Sequence, residues 1–149
     1  MKKVLLLLLL TPFIFSSCSK EETALTPVDD YVGTWNETST GSMDMLYNSV
    51  SAGSFPTDQS STSIKITKIS TNQLSIDDMV VSVSGTSISI PTKTQTETQD
   101  GITMTLTAKY SGTVSKNLIT IKETYSGSWS MGTAGSGAIS GSTTYTFTR

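Results

Sequence analysis

Hydrophobic and polar residues alternate one by one along much of the chain, with the period of a half-buried β-strand. The alternation is clearest over 102–114, 118–131 and 138–149. In 118–131, for example, Ile119 and Trp129 fall on one face, and the other face carries mostly Ser and Thr. No window keeps helical spacing for longer than one turn. The pattern therefore predicts an all-β fold whose sheet covers a core on one side only.

Turn residues divide the chain into eight predicted strands. These are 31–39, 62–70, 73–83, 86–91, 93–98, 102–114, 118–131 and 138–149. Asp77 and Asp78 interrupt the third strand, where we expect a bulge or a small turn. Short connections make sequential strands antiparallel neighbours. The expected fold is an eight-stranded antiparallel up-and-down barrel.

The segment 40–61 is predicted to be a loop much longer than the usual hairpin connection. It carries apolar side chains that are unusual in a solvated loop: Met43, Met45, Tyr47 and Phe55. Odd-numbered connections of an up-and-down barrel share one end. We therefore expect this loop, Ser84–Gly85, 99–101 and 132–137 at a mouth opposite Trp35. The loop is either a lid over a ligand or a plug that hides its own apolar residues.

A ligand cavity is predicted between this loop and the inward-phase residues of the last three strands. The candidate ligand-binding residues are Met43, Met45, Tyr47, Phe55, Met104, Trp129, Met131 and Ile139. Methionine is unbranched and polarizable, so such a cluster suits an adaptable apolar surface. Gly127 and Gly141 are also in the inward phase, and predict either a side-chain-sized gap or a sharp bend in the wall.

Composition excludes several kinds of chemistry. The 149 residues include no His and one Cys, which excludes His-based catalysis, His-ligated metals and a disulfide within the chain. Ten basic and 12 acidic residues give a net charge of −2, with no basic patch for nucleic acid. We expect no cofactor, no metal and no enzymatic activity, because the many Ser residues lack a base to activate them.

Two carboxylates share their strand face with apolar residues and are expected to point inward. Glu37 is in phase with Trp35, and Glu123 with Tyr125. A buried carboxylate needs a partner, which Arg149 or Lys68 is expected to supply. Three roles are open for each of these Glu side chains: a polar group with its hydrogen bonds satisfied inside the barrel, a contact to a ligand, or a catalytic group.

The N-terminal sequence predicts where in the cell the protein is located. Residues 1–17 have a basic start, an apolar stretch too short to span a bilayer, and small residues before Cys18. This resembles the lipobox of bacterial lipoproteins, which implies that Cys18 is acylated with palmitate or a similar fatty acid and anchors the protein in the outer membrane. Residues 18–29 form a tether and 30–149 the domain. Lys20-Glu21-Glu22 resembles a surface-export signal, which favours the cell exterior over the periplasmic face.

The two ends of the predicted barrel carry a second resemblance. Residues 31–35, Tyr-Val-Gly-Thr-Trp, open the first strand, and residues 145–149, Tyr-Thr-Phe-Thr-Arg, close the last. This resembles lipocalin-like (calycin-type) barrels, and especially small bacterial lipocalin-like lipoproteins. The resemblance implies that Arg149 stacks on Trp35 as a structural pair and that the open end binds a small, partly apolar ligand. The alternative is a ligand-free scaffold or accessory subunit of a cell-surface complex, with a protein partner.

Overall fold

The computed structural model describes residues 28–149, and these residues form ten strands and two short 3₁₀ helices. The strands are β1 (Gly33–Tyr47), β2 (Val50–Pro56), β3 (Gln59–Ser70), β4 (Gln73–Ile76), β5 (Met79–Ser84), β6 (Ser87–Ser89), β7 (Lys93–Gln99), β8 (Ile102–Ser115), β9 (Leu118–Ser130) and β10 (Ser136–Thr148). The 3₁₀ helices are Val28–Tyr31 and Gly132–Ala134. Nowhere in residues 28–149 is there a helix with the length and apolar character needed to cross a bilayer.

Eight of the described strands close into an antiparallel barrel in the order β1, β3, β4, β5, β6, β8, β9, β10. The closing pair is β1 with β10, running from Asn36 opposite Thr148 to Met45 opposite Ile139. All neighbours in the barrel are antiparallel, and they follow one another in sequence order. The all-β, eight-stranded up-and-down barrel predicted from the sequence is confirmed.

The barrel wall is uneven in height. β8, β9 and β10 have 14, 13 and 13 residues, whereas β4, β5 and β6 have 4, 6 and 3. Among the described residues β2 pairs only with β1, and β7 only with β8. Above the three short strands the sheet is therefore open between β2 and β7. We call the part around Trp35 the closed half and the part between β2 and β7 the split half.

The hydrophobic core fills the closed half. Its fully buried side chains come from β1, β3, β4, β5, β9 and β10, and include Trp35, Ile66, Leu74, Ile76, Val81, Ile119, Ile121 and Phe147. The helix Val28–Tyr31 covers the end of this core, with both of its terminal residues buried. The packed structure therefore already includes Val28, two residues before the domain boundary expected at Asp30.

The segment 40–61 is a β-hairpin, so the prediction of an irregular loop is wrong. β1 continues to Tyr47, and a two-residue turn at Asn48 and Ser49 leads into β2. Both turn residues have positive φ, 45° and 67°, as the favoured hairpin turns require. Pairing with β10 on one side and β2 on the other satisfies the backbone of the extended β1. The turn-forming residues of this segment suggest a loop, but the segment is extended because its backbone pairs with neighbouring strands.

In the middle of the chain, the small turn that was one of two outcomes expected at Asp77 and Asp78 is present, but the connections after it differ from the prediction. Asp77 and Asp78, with φ of 44° and 63°, form the turn that separates β4 from β5. β6 and β7 then share one position beside β8, because Ile88 lies opposite Gly112 and Lys93 opposite Ala108. Because of this extra turn, the next connection lies at the opposite end of the barrel from the one expected. The prediction that Ser84–Gly85 lies at the mouth is therefore wrong, since this turn lies in the closed half.

Candidate ligand-binding site

A cavity of about 710 Å³ lies in the split half. One side is the bend between β2 and β3, from Pro56 to Gln59, and the other is β7, from Lys93 to Glu97. Inward side chains of β8, β9 and β10 form the back wall. Tyr110 and Tyr145 line the cavity and also pack on the hydrophobic core, so the core is its floor.

The upper part of the back wall is apolar. Met104, Leu106 and Ala108 follow one another on the inward face of β8 and line the cavity. They are brought there by strand alternation, which sends every second side chain to the same face. Met43 on β1 and Pro56 at the bend extend this surface.

A carboxylate between phenols forms the polar part of the cavity. Tyr145 Oη donates a 2.8 Å hydrogen bond to Glu123 Oε2, and Tyr110 lies opposite Glu123 in the β8–β9 register. Burial, followed by the charge and hydrogen bonding of Glu123, raises the pKa of Tyr110 to about 12. Burial, then the hydrogen bond to Glu123, also raises the pKa of Tyr145. Both phenols therefore stay protonated, and Tyr145 donates its proton to the carboxylate.

A second carboxylate lies beneath the cavity. Glu37 is on the inward face of β1, one inward position below Ser39, which lines the cavity. Its side chain is only 7% exposed, and it accepts no hydrogen bond from the described side chains. Burial, and then the negative charge of Asp77, raise the pKa of this carboxyl. The floor of the cavity is thus electrically negative whenever Glu37 is ionised.

The rim at the β2–β3 bend is held to the tall wall. Thr57 N donates to Gly41 O at 3.0 Å, and Gly41 N donates to Asp58 Oδ1 at 2.9 Å. The hydroxyls of Thr57 and Thr143 lie 2.8 Å apart. A Cβ on Gly41 would lie 2.2 Å from Ser142 O, so only glycine permits this close approach. The bend is therefore a fixed edge of the cavity.

The opposite rim, β7, is exposed along its whole length. Three pairs of threonine hydroxyls hold it to β8, at 2.9 Å for Thr94–Thr107, 2.9 Å for Thr96–Thr105 and 3.0 Å for Thr98–Thr103. On the cavity side, the Gln95 amide donates to the Glu97 carboxylate. This strand has no apolar face in the sequence, and polar cross-strand pairs are what join it to the sheet.

The structure separates the eight predicted ligand-binding residues. Met43 and Met104 line the cavity, and Trp129 lines a second cavity of about 500 Å³ near the β1–β2 turn. The others, Met45, Tyr47, Phe55, Met131 and Ile139, line neither of these two. The larger cavity therefore lies nearer the closed half, and nearer β7, than the sequence indicates.

Aromatic rings fill the space that the inward glycines leave. Trp129 Nε1 donates to Leu46 O at 3.0 Å and would lie 2.7 Å from a Cβ on Gly137. Tyr125 Oη donates to Ser42 O at 3.0 Å and would lie 2.7 Å from a Cβ on Gly141. Each ring thus crosses β10 over a glycine to reach β1. The gap expected at Gly141 is therefore occupied.

Gly127, the other inward glycine, marks a close approach of backbones. A Cβ there would lie 1.9 Å from Thr105 O on β8. Trp129, two residues further along β9, is 8% exposed and stacks on Tyr47 with 5.7 Å between ring centroids. Of the two outcomes expected at Gly127, a gap or a bend, the geometry fits a tightly curved wall.

Trp35 and Arg149 meet at the closed end. The guanidinium carbon of Arg149 lies 4.4 Å from the centroid of the Trp35 ring. Arg149 also donates to Val32 O at 2.8 Å, and Trp35 Nε1 donates to Tyr31 O at 2.9 Å. These bonds fix the segment that follows the helix Val28–Tyr31 over the end of the core.

The cations expected to pair with the inward carboxylates have other partners. Lys68 forms an ion pair with Asp29 at 2.8 Å, and Arg149 lies on Trp35. Lys68–Asp29 is the one ion pair formed within residues 28–149. The expectation that Arg149 or Lys68 neutralises Glu37 or Glu123 is wrong, because both cations are held at the closed end.

The phenols around Glu123 are the site residues that the sequence interpretation did not select. Tyr110 and Tyr145 both stand in the inward phase of their strands, which is a usable signal. Their proximity depends on the register that places Tyr110 opposite Glu123 and Thr143 beside it, which alternation alone does not set. The rim residues Asp58 and Glu97 carry no such signal, because neither stands in an apolar pattern.

In the part of the chain described by the structure, no group of three or more Cys, Asp or Glu side chains is placed to hold a metal ion. Comparison of the whole chain with protein-family models, with curated proteins and with solved structures finds no match.

Proposed function

We propose that this chain is a lipocalin-like lipoprotein of the outer membrane that binds a small, partly apolar molecule in the cavity of the split half. The observation that carries the proposal is the contrast between the two halves of the barrel. One half is packed with buried side chains, and the other holds a cavity of about 710 Å³. Ligand cavities of proteins commonly have volumes of about 300–1,000 Å³.

The lining also favours a ligand. Apolar side chains on β8 face the cavity beside a hydrogen-bonded Glu123, so the surface offers both contact area and a few oriented polar groups. That combination is typical of small-molecule sites. The fixed bend at Thr57 and Asp58 keeps one rim in place without a ligand, so little ordering is needed on binding.

Native mass spectrometry of the purified chain tests the proposal by detecting co-purified small molecules. Ala108→Phe places a ring in the cavity and is expected to abolish their retention, whereas Lys109→Phe, on the exposed face of the same strand, is the matched control. Equal retention by both variants, or no bound molecule in the original chain, would contradict the proposed site.

The second candidate function is a scaffold within a surface complex. Exposed apolar side chains at the β1–β2 hairpin favour it: Leu46, Tyr47, Val50 and Phe55 are 37%, 43%, 67% and 45% exposed. Exposed patches of this kind often mark protein contacts. A photocrosslinker at Val50 that captures one defined protein on intact cells, with none captured from Lys109, would support this function.

The membrane anchor rests on the N-terminal sequence alone. Residues 1–17 and Cys18 lie outside the described residues, as does most of the 18–29 tether. The lipobox resemblance supports acylation at Cys18, and the residues after it support display on the cell exterior, with the periplasmic face as the alternative.

A further inference from the structure

We propose that the ligand of this cavity is an organic ammonium ion, with its cationic head at Glu123 between Tyr110 and Tyr145 and its apolar part against Met104 and Leu106. This inference rests on the proposed ligand-binding function and names the class of ligand. It predicts selectivity for charge, which binding of an apolar molecule does not by itself require.

The charges around the cavity are mainly negative. Asp58, Glu97 and Glu123 line it, together with one cation, Lys93, which stands on the exposed rim strand. Within residues 28–149 none of the three carboxylates forms an ion pair. All three have a neutral hydrogen-bond donor, Gly41 N for Asp58, the Gln95 amide for Glu97 and Tyr145 Oη for Glu123, but a neutral donor leaves the charge in place.

The buried carboxylate of Glu37 independently favours a positively charged ligand. This side chain is more than nine-tenths buried below the cavity and accepts no hydrogen bond from the described side chains. A buried carboxylate without a cation carries a desolvation cost, which is reflected in its raised pKa. A cation bound above Glu37 lowers that cost, because opposite charges attract more strongly near the protein interior than in bulk water.

Two groups at the head position, the Glu123 carboxylate and the Tyr145 hydroxyl oxygen, act as acceptors toward a ligand. The Tyr145 hydroxyl already donates its proton to Glu123, so its oxygen has only lone pairs left to offer. An ammonium group donates to such oxygens and to Glu123, whereas a ligand carboxylate finds Lys93 as its only charged donor on the lining. The half-buried rings of Tyr110, Tyr125 and Tyr145 add faces that attract a cation.

Hexylammonium, 1-hexanol and hexanoate test this inference, because they share one chain and differ in the charge of the head. Isothermal titration of each into the purified chain is expected to give hexylammonium the lowest Kd, about tenfold or more below that of 1-hexanol, and hexanoate the highest. Equal Kd values for hexylammonium and 1-hexanol would overturn the inference and leave the proposed function standing. No binding of any of the three would overturn both.

Glu123→Gln assigns the selectivity to the proposed position. The variant is expected to raise the Kd of hexylammonium about tenfold and to change that of 1-hexanol less than about twofold. Asp100→Asn removes the same charge from an exposed turn that lines neither cavity and is expected to change nothing. An equal effect of the two substitutions would overturn the assignment. The comparison of head groups needs no variant, so it stands even if Glu123→Gln does not fold.

Discussion

At the scale of single residues, the closed end depends on an indole that is almost wholly buried. Trp35 is 1% exposed, whereas its partner Arg149 lies at the surface. We expect Trp35→Ala to lower the free energy of unfolding by about 3–5 kcal/mol, as for other buried aromatic residues. Arg149→Ala removes an exposed cation–π contact and is expected to cost about 0.5–1 kcal/mol. Denaturant titration measures both, and equal small losses would contradict this account of the closed end.

Glu37 makes stability depend on pH. Its pKa is raised in the folded chain, mainly by burial, so folding favours the protonated form. The stability linked to this group is complete below its unfolded pKa of about 4.3 and is lost as the pH rises through the folded value. Glu37→Gln does not titrate and keeps that stability.

The expected result is a difference in unfolding free energy, Glu37→Gln minus the original chain, that grows from about pH 4 to about pH 7. Denaturant titrations at several pH values measure it, with Asp100→Asn as the control for loss of one negative charge. A difference that stays constant across this range would show that burial does not raise the pKa of Glu37.

At the scale of elements, the β1–β2 hairpin contains two non-glycine residues in the left-handed region. Ser49 has a φ of 67°, which an L-residue other than glycine adopts at a cost of about 1–2 kcal/mol. Ser49→Gly is expected to raise the free energy of unfolding by about 0.5–1 kcal/mol. Ser54→Gly, within β2, is the control and is expected to lower it by a similar amount. Thermal and denaturant unfolding measure both changes, and a loss at Ser49 would contradict the turn geometry.

The same hairpin shows why the sequence did not predict every strand. In β8, β9 and β10, Ser and Thr alternate with large apolar residues, and alternation predicts these strands well. In 40–61, Gly41 and Gly53 interrupt the pattern, and Asn48-Ser49 lacks the glycine that usually marks a two-residue turn. The extended conformation there comes from pairing with β10, a partner about a hundred residues away along the chain.

At the scale of the whole molecule, the height of the wall decides where the cavity lies. Alternation predicts the barrel and the inward phase of Met104 and Glu123, which both reach the cavity, whereas Met43, predicted to lie in a loop, reaches it from β1. It leaves open whether Asp77–Asp78 is a bulge or a turn, and it does not predict that β6 and β7, on either side of Pro91, share one position beside β8. These two irregularities lower one side of the barrel and shift the cavity away from the predicted mouth.

The proposed attachment of the molecule to a membrane is tested at Cys18. Cys18→Ser removes the acyl acceptor and is expected to release the chain from the membrane fraction, because an acyl chain gains about 0.8 kcal/mol per buried CH₂. Membrane flotation followed by immunoblotting measures this, with Ser17→Ala as a control that keeps the thiol and a small neighbour. A variant that still floats with outer-membrane vesicles would contradict the lipobox interpretation.

The pairing of β1 with β10 also governs the order in which the molecule is completed. The other barrel pairs join strands closer in sequence, either as hairpins or across one intervening strand, but Asn36 meets Thr148 only after β10 has been synthesised. Until then the tall wall has two unpaired edges, and Trp35 lacks both Phe147 and Arg149 above it. Closure by such a distant pair is slow compared with hairpin formation. A nascent chain thus stays open at least until β10 has been synthesised.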